Sequence, residues 1–288
     1  MRIVEMFGSS RPVVSFEFFP PKTAKGYPAL FRTIEDLKRL EPSFVSVTWG
    51  AGGSTRRKTT ELVVQIQQEA DITAMAHMTC VGSGRDEIAD TIDSLADAGI
   101  ENLLALGGDR PEGWQPGAQD FSYANELIEF ARPRWPDLCI AAAAYPEGHP
   151  QSPSPEQDLA MTYRKVEAGA EVLITQLFFD NADYFEFVRR ARAAGIDTPI
   201  VPGIMPVVSV ANIRRMTALC GAKIPSELGS ALDACGEDPE RTLEVGIEWA
   251  VAQCRELLEG GAPGLHFYTL NRSPATRRIH ERVFGATA

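Results

Sequence analysis

Residues 13–21 read Val13-Val14-Ser15-Phe16-Glu17-Phe18-Phe19-Pro20-Pro21, a run of β-branched and aromatic residues that carries one carboxylate and stops at two prolines. Such residues favour a pleated, buried segment, and proline cannot continue a central ladder, so the run predicts a strand with Glu17 near its C-terminal end. A carboxylate held among apolar side chains is penalised in its charged form, which gives Glu17 the profile of a general acid. A glutamate reaching solvent from a strand edge fits the same nine residues.

The chain beyond this strand alternates in period. Helical spacing over 26–40 ends before Pro42 and gives way to a strand at 44–48; a helix over 55–69 leads to a strand at 72–80. Next come a helix at 85–98, a strand at 102–106, a helix at 125–132, a strand at 138–144, a helix at 157–168 and a strand at 172–178. A helix at 184–194 and a strand at 199–203 follow. Residues 210–259 read as two or three helices, and a strand at 265–268 precedes a last helix at 275–283. Eight strand signals alternating with helices over this length predict an α/β chain folded as one (β/α)8 barrel, with a doubly wound sheet as the alternative. No linker or repeat divides it, so residues 1–288 are expected to form one domain.

Composition narrows the function classes. The 288 residues are 44% hydrophobic and 23% charged, with a formal net charge of −11 and no basic stripe, which argues against nucleic acid as a partner. The five cysteines form no C-x-x-C pair and read as reduced, buried thiols. Arg2 and Glu5 stand where a signal peptide needs an apolar core, and no stretch of about 18 apolar residues occurs. A cytoplasmic protein with no membrane association is expected.

In a barrel of this kind the chemistry belongs at the C-terminal ends of the strands. Those positions hold Glu17, Thr48, His77, Asp109, Tyr145 with His149, Gln176, and Asn271-Arg272. Strand ends often carry Asp, Asn, Ser or Thr as helix caps, but Tyr, His and Gln cap poorly. Their presence points to a site for an extended heteroaromatic ligand. Gly50-Ala51-Gly52-Gly53-Ser54 fits neither dinucleotide nor P-loop fingerprint and reads as turn glycines, while Gly107-Gly108-Asp109 brings backbone and a carboxylate close to a ligand or caps a turn. His77 and His149 lack partners at metal-ligand spacing, so no metal is expected. Asp158, Arg164 and Lys165 form either a solvated helix face or, at the barrel mouth, a partner for a diphosphate.

These motifs also carry a resemblance. Ser15-Phe16-Glu17-Phe18-Phe19-Pro20-Pro21-Lys22, Val45-Ser46-Val47-Thr48-Trp49-Gly50, His77-Met78-Thr79-Cys80, Gly108-Asp109, Ala144-Tyr145-Pro146-Glu147, Ile174-Thr175-Gln176-Leu177-Phe178-Phe179-Asp180 and His266-Phe267-Tyr268-Thr269-Leu270-Asn271-Arg272 resemble methylenetetrahydrofolate reductase over about residues 13–283. The resemblance covers that family's catalytic barrel and not the regulatory domain of its eukaryotic members. It implies FAD as cofactor, NAD(P)H and methylenetetrahydrofolate as substrates taken in turn by one pocket, and a homo-oligomer. By motif, Glu17 resembles the general acid and Asp109 the folate-binding aspartate beside the flavin. Thr48, His77, Gly108, Asp109, Tyr145, His149, Asp158, Arg164 and Lys165 resemble the FAD shell; Gln176, Asn212, Tyr268 and Arg272 resemble the substrate contacts. Gly107 stands where members commonly have Arg, and Met161, Asn212 and Met216 where a bacterial branch has Asn, Gln and Phe. Two further readings of the same barrel are a pterin-binding methyltransferase that serves a corrinoid partner and a flavin-free or non-catalytic folate-binding subunit.

Overall fold

A computed structural model describes residues 1–49, 53–108 and 121–285. Gly50 to Gly52 and Asp109, singled out above, lie outside the described residues. The elements run β1 (Val13–Phe18), α1 (Tyr27–Lys38), β2 (Phe44–Val47), α2 (Gly53–Glu69), β3 (Ala74–Thr79), α3 (Arg85–Asp97), β4 (Asn102–Leu106) and α4 (Ala124–Ala131). They continue with β5 (Cys139–Ala144), α5 (Pro155–Glu167), β6 (Val172–Leu177), α6 (Asn181–Ala193), β7 (Ile200–Ile204), α7 (Val210–Cys220), α8 (Ser226–Asp233), α9 (Pro239–Glu259), β8 (Gly264–Tyr268) and α10 (Pro274–Phe284). The strands pair in sequence order, all parallel, and β8 closes on β1, so the expected (β/α)8 barrel forms and the doubly wound sheet does not. Residues 210–259 resolve into three helices, the upper end of the expected range.

Side-chain alternation divides each strand between two cores. Val13, Phe44, Met75, Leu104, Cys139, Ala141, Val172, Ile174 and Val201 fill the barrel interior, and Ile3, from a short 3₁₀ turn, plugs its N-terminal end. The Ile3 amide donates to Asn102 Oδ1 at 2.8 Å, which fixes the plug to β4. Val14, Phe16, Phe18, Val45 and Val47 point the other way, into the layer shared with Leu30, Ile34 and Leu37 of α1 and the other helices.

This alternation corrects one expectation. Phe16 and Phe18 flank Glu17 in sequence but face the helices, while Phe19 is exposed, so phenylalanine does not line the carboxylate. Glu17 shares the inner face with Ser15 and lies level with Ser46 of β2 and Tyr268 of β8.

Local chemistry sets the helix starts and one tight corner. The hydroxyls of Ser154 and Ser209 and the carboxylates of Asp180 and Asp238 accept from first-turn amides of α5, α7, α6 and α9. After α5 the chain turns through Gly169 at φ +116°, where a Cβ would lie 2.7 Å from Arg132 Nε. That space is needed because the Arg132 guanidinium donates to the carbonyls of Pro136, Leu138 and Gly169 and pairs with Glu171, tying α4 to the start of β6.

Candidate active site at the barrel mouth

The end of β1 is held by the turn after β8. Thr269 Oγ1 donates to the Glu17 carbonyl at 2.6 Å, and the Asn271 amide makes two bonds to Phe19, accepting from its N–H at 3.0 Å and donating to its carbonyl at 2.8 Å. Leu270 and Asn271 both sit in the left-handed region, at φ 52° and 56°. Asn tolerates this conformation; Leu270 there costs about 1 kcal/mol, offset by the clamp it allows.

With its backbone fixed, the half-buried Glu17 side chain meets two imidazoles. His77 Nε2 on β3 is 3.5 Å and His266 Nε2 on β8 is 3.6 Å from Glu17 Oε2. His266 is fully buried, stacked on Phe44 and edge-on to Tyr268, and its Nδ1 lies 2.8 Å from Ser15 Oγ. Burial lowers the His77 pKa to about 4, with the Glu17 charge opposing and His266 adding, so His77 is neutral at pH 7. Burial, followed by the Glu17 charge, raises the Tyr268 phenol well above its ordinary range. The Tyr268 hydroxyl donates to the Thr175 carbonyl at 2.6 Å, and its ring crosses β7 at Gly203, where a Cβ would lie 2.3 Å from the Thr175 oxygen and 2.7 Å from the ring.

A second cluster forms where β5 leads into α5. The rings of Tyr145 and His149 meet edge to face at 4.6 Å, and Lys165 Nζ donates to the Ala143 carbonyl at 2.8 Å while lying 5.7 Å from the Tyr145 centroid. Burial lowers the Lys165 pKa to about 8 against the opposing pull of Asp158. Burial raises the Asp158 carboxyl, opposed by Lys165 and by the His149 backbone N–H. A cleft lined by Tyr145, Glu147, Gln176 and Cys220 lies beside this cluster.

The structure thus gathers Glu17, His77 and Tyr268 in one group and Tyr145, His149, Asp158 and Lys165 in another. Thr48 stands at the end of β2, where its N–H donates to the Phe18 carbonyl and its own carbonyl accepts from Thr59. Gly108 ends β4's extension at φ +85°, with Thr79 so close that a Cβ would clash at 2.8 Å. Gln176 folds back so that its Oε1 accepts from the Leu177 amide at 2.8 Å, and Asn212 Oδ1 accepts from Arg215 at 3.1 Å. Arg164 is not drawn into the second cluster: it is exposed, 3.8 Å from Met161 Sδ. Arg272 is exposed as well. Asp109 lies outside the described residues. His266 and Ser15 were not singled out as site residues from sequence; the available signal was that His266 stands two positions before Tyr268 and so shares its inward face.

Comparison with known proteins gives one consistent answer. The family profile described as methylenetetrahydrofolate reductase matches residues 2–284. The 5,10-methylenetetrahydrofolate reductases of Escherichia coli and Pectobacterium carotovorum are each 36% identical over 266 residues, covering 92% of this chain and 88% of theirs. Methylenetetrahydrofolate reductase (NADH) 1 of Zea mays is 38% identical over 283 residues, covering 94% of this chain and 48% of its own length; the chain spans about half the length of such plant relatives. In fold, it is similar to a Clostridium thermocellum protein that binds two copies of 5-methyl-5,6,7,8-tetrahydrofolic acid, with a TM-score of 0.63, 15% identity, and coverage of 97% and 96% of the two chains. With an eight-stranded parallel barrel, a carboxylate set between two histidines at its mouth, and a family match over nearly its whole length, the chain belongs to the methylenetetrahydrofolate reductase family.

Proposed function

We propose that this protein reduces 5,10-methylenetetrahydrofolate to 5-methyltetrahydrofolate with NAD(P)H, using FAD, as a cytoplasmic enzyme of one-carbon metabolism. The observation that carries the reading is the group of Glu17, His77 and Tyr268 at the barrel mouth of a chain in this family. FAD, when bound, supplies hydride transfer from the nicotinamide to the folate.

The residues of the second cluster fit such a cofactor. Lys165 is a cation whose charge burial disfavours, and a diphosphate placed against it would relieve that penalty. Tyr145 and His149 offer ring faces and edges, and Thr48 a hydroxyl, at the same end of the barrel. His77, neutral at pH 7, presents a ring nitrogen without adding charge to the site.

Glu17 acts as the general acid in this reading. The methylene bridge of the substrate resists hydride until one of its nitrogens departs, and protonation of that nitrogen opens the five-membered ring to an iminium ion. Thr269 and Asn271 set the height of the Glu17 backbone, so the carboxyl projects into the mouth. By motif, Asp109 accepts from the N–H groups of the pterin and favours the cationic iminium through its charge. Gln176, Asn212 and Arg272 would contact the remainder of the folate.

Purified protein tests the proposal directly. It should be yellow, with near-stoichiometric FAD, and should form 5-methyltetrahydrofolate from methylenetetrahydrofolate in the presence of NADH or NADPH. A folded, flavin-loaded preparation that makes no methylated folate with either nucleotide would overturn it.

A further inference from the structure

Glu17 is not alone on the inner wall. It is faced by His77 from β3, by His266 and Tyr268 from β8, and by Ser46 from β2 at the same level. His77 Nε2, His266 Nε2 and Ser46 Oγ are all buried without a hydrogen-bond partner among the described residues, and two of these three atoms converge on the same oxygen, Glu17 Oε2. Orphaned polar atoms at this depth are costly unless a change in the site satisfies them.

The two ends of the His266 ring differ. Nδ1 lies 2.8 Å from Ser15 Oγ, whereas the Leu265 carbonyl, an acceptor for that hydroxyl, is 3.5 Å away. With the serine donating across the shorter contact, Nδ1 accepts and the ring hydrogen stands on Nε2, aimed at Glu17. Phe44 and Tyr268 hold the ring on its face and edge, so it cannot turn to another partner without disturbing both. At 3.6 Å the Nε2 to Oε2 contact is longer than a hydrogen bond, and closing it would give an Nε2–H the Glu17 carboxylate as its acceptor.

We propose that His266, with its tautomer fixed by Ser15, is a positioning residue that stabilises the carboxylate Glu17 becomes when it gives up its proton. The inference rests on the reading of Glu17 as the acid that opens methylenetetrahydrofolate. In that step the Glu17 O–H bond breaks, an N–H bond forms on the departing nitrogen, and the electron pair of the cleaved C–N bond stays on that nitrogen. His266 neither gains nor loses a proton; its Nε2–H donates a hydrogen bond to the new carboxylate. The role is analogous to that of the aspartate behind a catalytic histidine, with the acid and its orienting partner exchanged.

Paired substitutions at position 266 separate this role from space filling. Glutamine reaches far enough to put an amide N–H where Nε2 stands, whereas asparagine reaches only the Nδ1 position. The kcat for methylenetetrahydrofolate reduction should fall at least about tenfold in His266→Asn with the folate KM changed by less than about threefold, and His266→Gln should recover most of the loss. Ser15→Ala, which releases the tautomer, should fall between them and shift the pH profile of folate reduction. Ring ¹⁵N spectra of histidine-labelled protein provide a second readout that does not need activity: the wild-type His266 resonances should report the Nε2–H tautomer. Equal losses in the Asn and Gln variants, or an Nδ1–H tautomer, would overturn the inference. Wild-type protein that reduces no methylenetetrahydrofolate would instead sink the functional reading on which it rests.

Discussion

His77 shows what a single buried titratable group does to this molecule. Its pKa falls from 6.5 to about 4 because burial disfavours the imidazolium, so between those pH values the unfolded chain binds a proton that the folded chain refuses. Stability from this residue is therefore complete above about pH 6.5 and is lost as pH falls toward 4, by up to about 3 kcal/mol. Denaturant midpoints measured from pH 7 to pH 4.5 should fall more steeply for wild type than for His77→Gln, and parallel curves would place the titrating group elsewhere. Lys165 makes a different prediction. If its burial is relieved by a cofactor diphosphate, Lys165→Ala should raise the flavin dissociation constant at least about tenfold, so that flavin is lost at a smaller dilution, whereas a lysine on a solvated face would change nothing. Glu17 could be picked out from sequence because a lone carboxylate in an apolar strand is conspicuous. Its neighbours could not: the phenylalanines beside it in sequence point to the opposite face, and the histidines beside it in space come from strands 60 and 249 residues away in the chain.

Among the elements, the turn after β8 and the middle of β7 carry the most constraint. Asn271→Ala deletes both bonds to Phe19 and leaves a non-glycine residue in the left-handed region without the side chain that favours it, so it should cost about 1–3 kcal/mol by thermal or denaturant unfolding. Gly203→Ala should be worse, since the new methyl lies 2.3 Å from the Thr175 oxygen and 2.7 Å from the Tyr268 ring. We expect a loss of about 2 kcal/mol or more, together with a change in Tyr268 fluorescence or ring NMR signals as the ring is displaced. A variant as stable as wild type would mean that β7 and β8 are not packed as described. The period of apolar residues revealed nearly every strand and helix, because that period is set by burial on one or two faces. It placed boundaries less well. β3 starts at Ala74 rather than Ile72 because Asp71 takes a positive φ of 52°, a backbone choice that hydrophobic spacing does not encode. The helices between β7 and β8 blurred into one another for a similar reason: their limits are set by Gly221 at φ 76° and by the Asp238 cap, single residues in a long amphipathic stretch.

At the scale of the whole molecule, the barrel separates stability from chemistry along its axis. Apolar side chains and the Ile3 plug, tied to the buried Asn102, fill the interior at the N-terminal end, while Glu17, His77 and Tyr268 gather toward the mouth. Strand order and length point to the mouth as the place for a site, while the approach of Glu17 to His77 and His266 needed the register of closure between β1, β3 and β8. In the proposed reaction Glu17 supplies the proton for folate reduction and has no part in the nicotinamide step. Stopped-flow absorbance of the flavin measures the two steps separately: bleaching on mixing with NADH or NADPH reports the first, and recovery of the oxidised spectrum on mixing with methylenetetrahydrofolate reports the second. For Glu17→Gln, which keeps the shape of the side chain and removes its acidic proton, bleaching should stay within roughly tenfold of wild type and recovery should slow by ~10²-fold or more. Recovery at the wild-type rate in that variant would contradict the account.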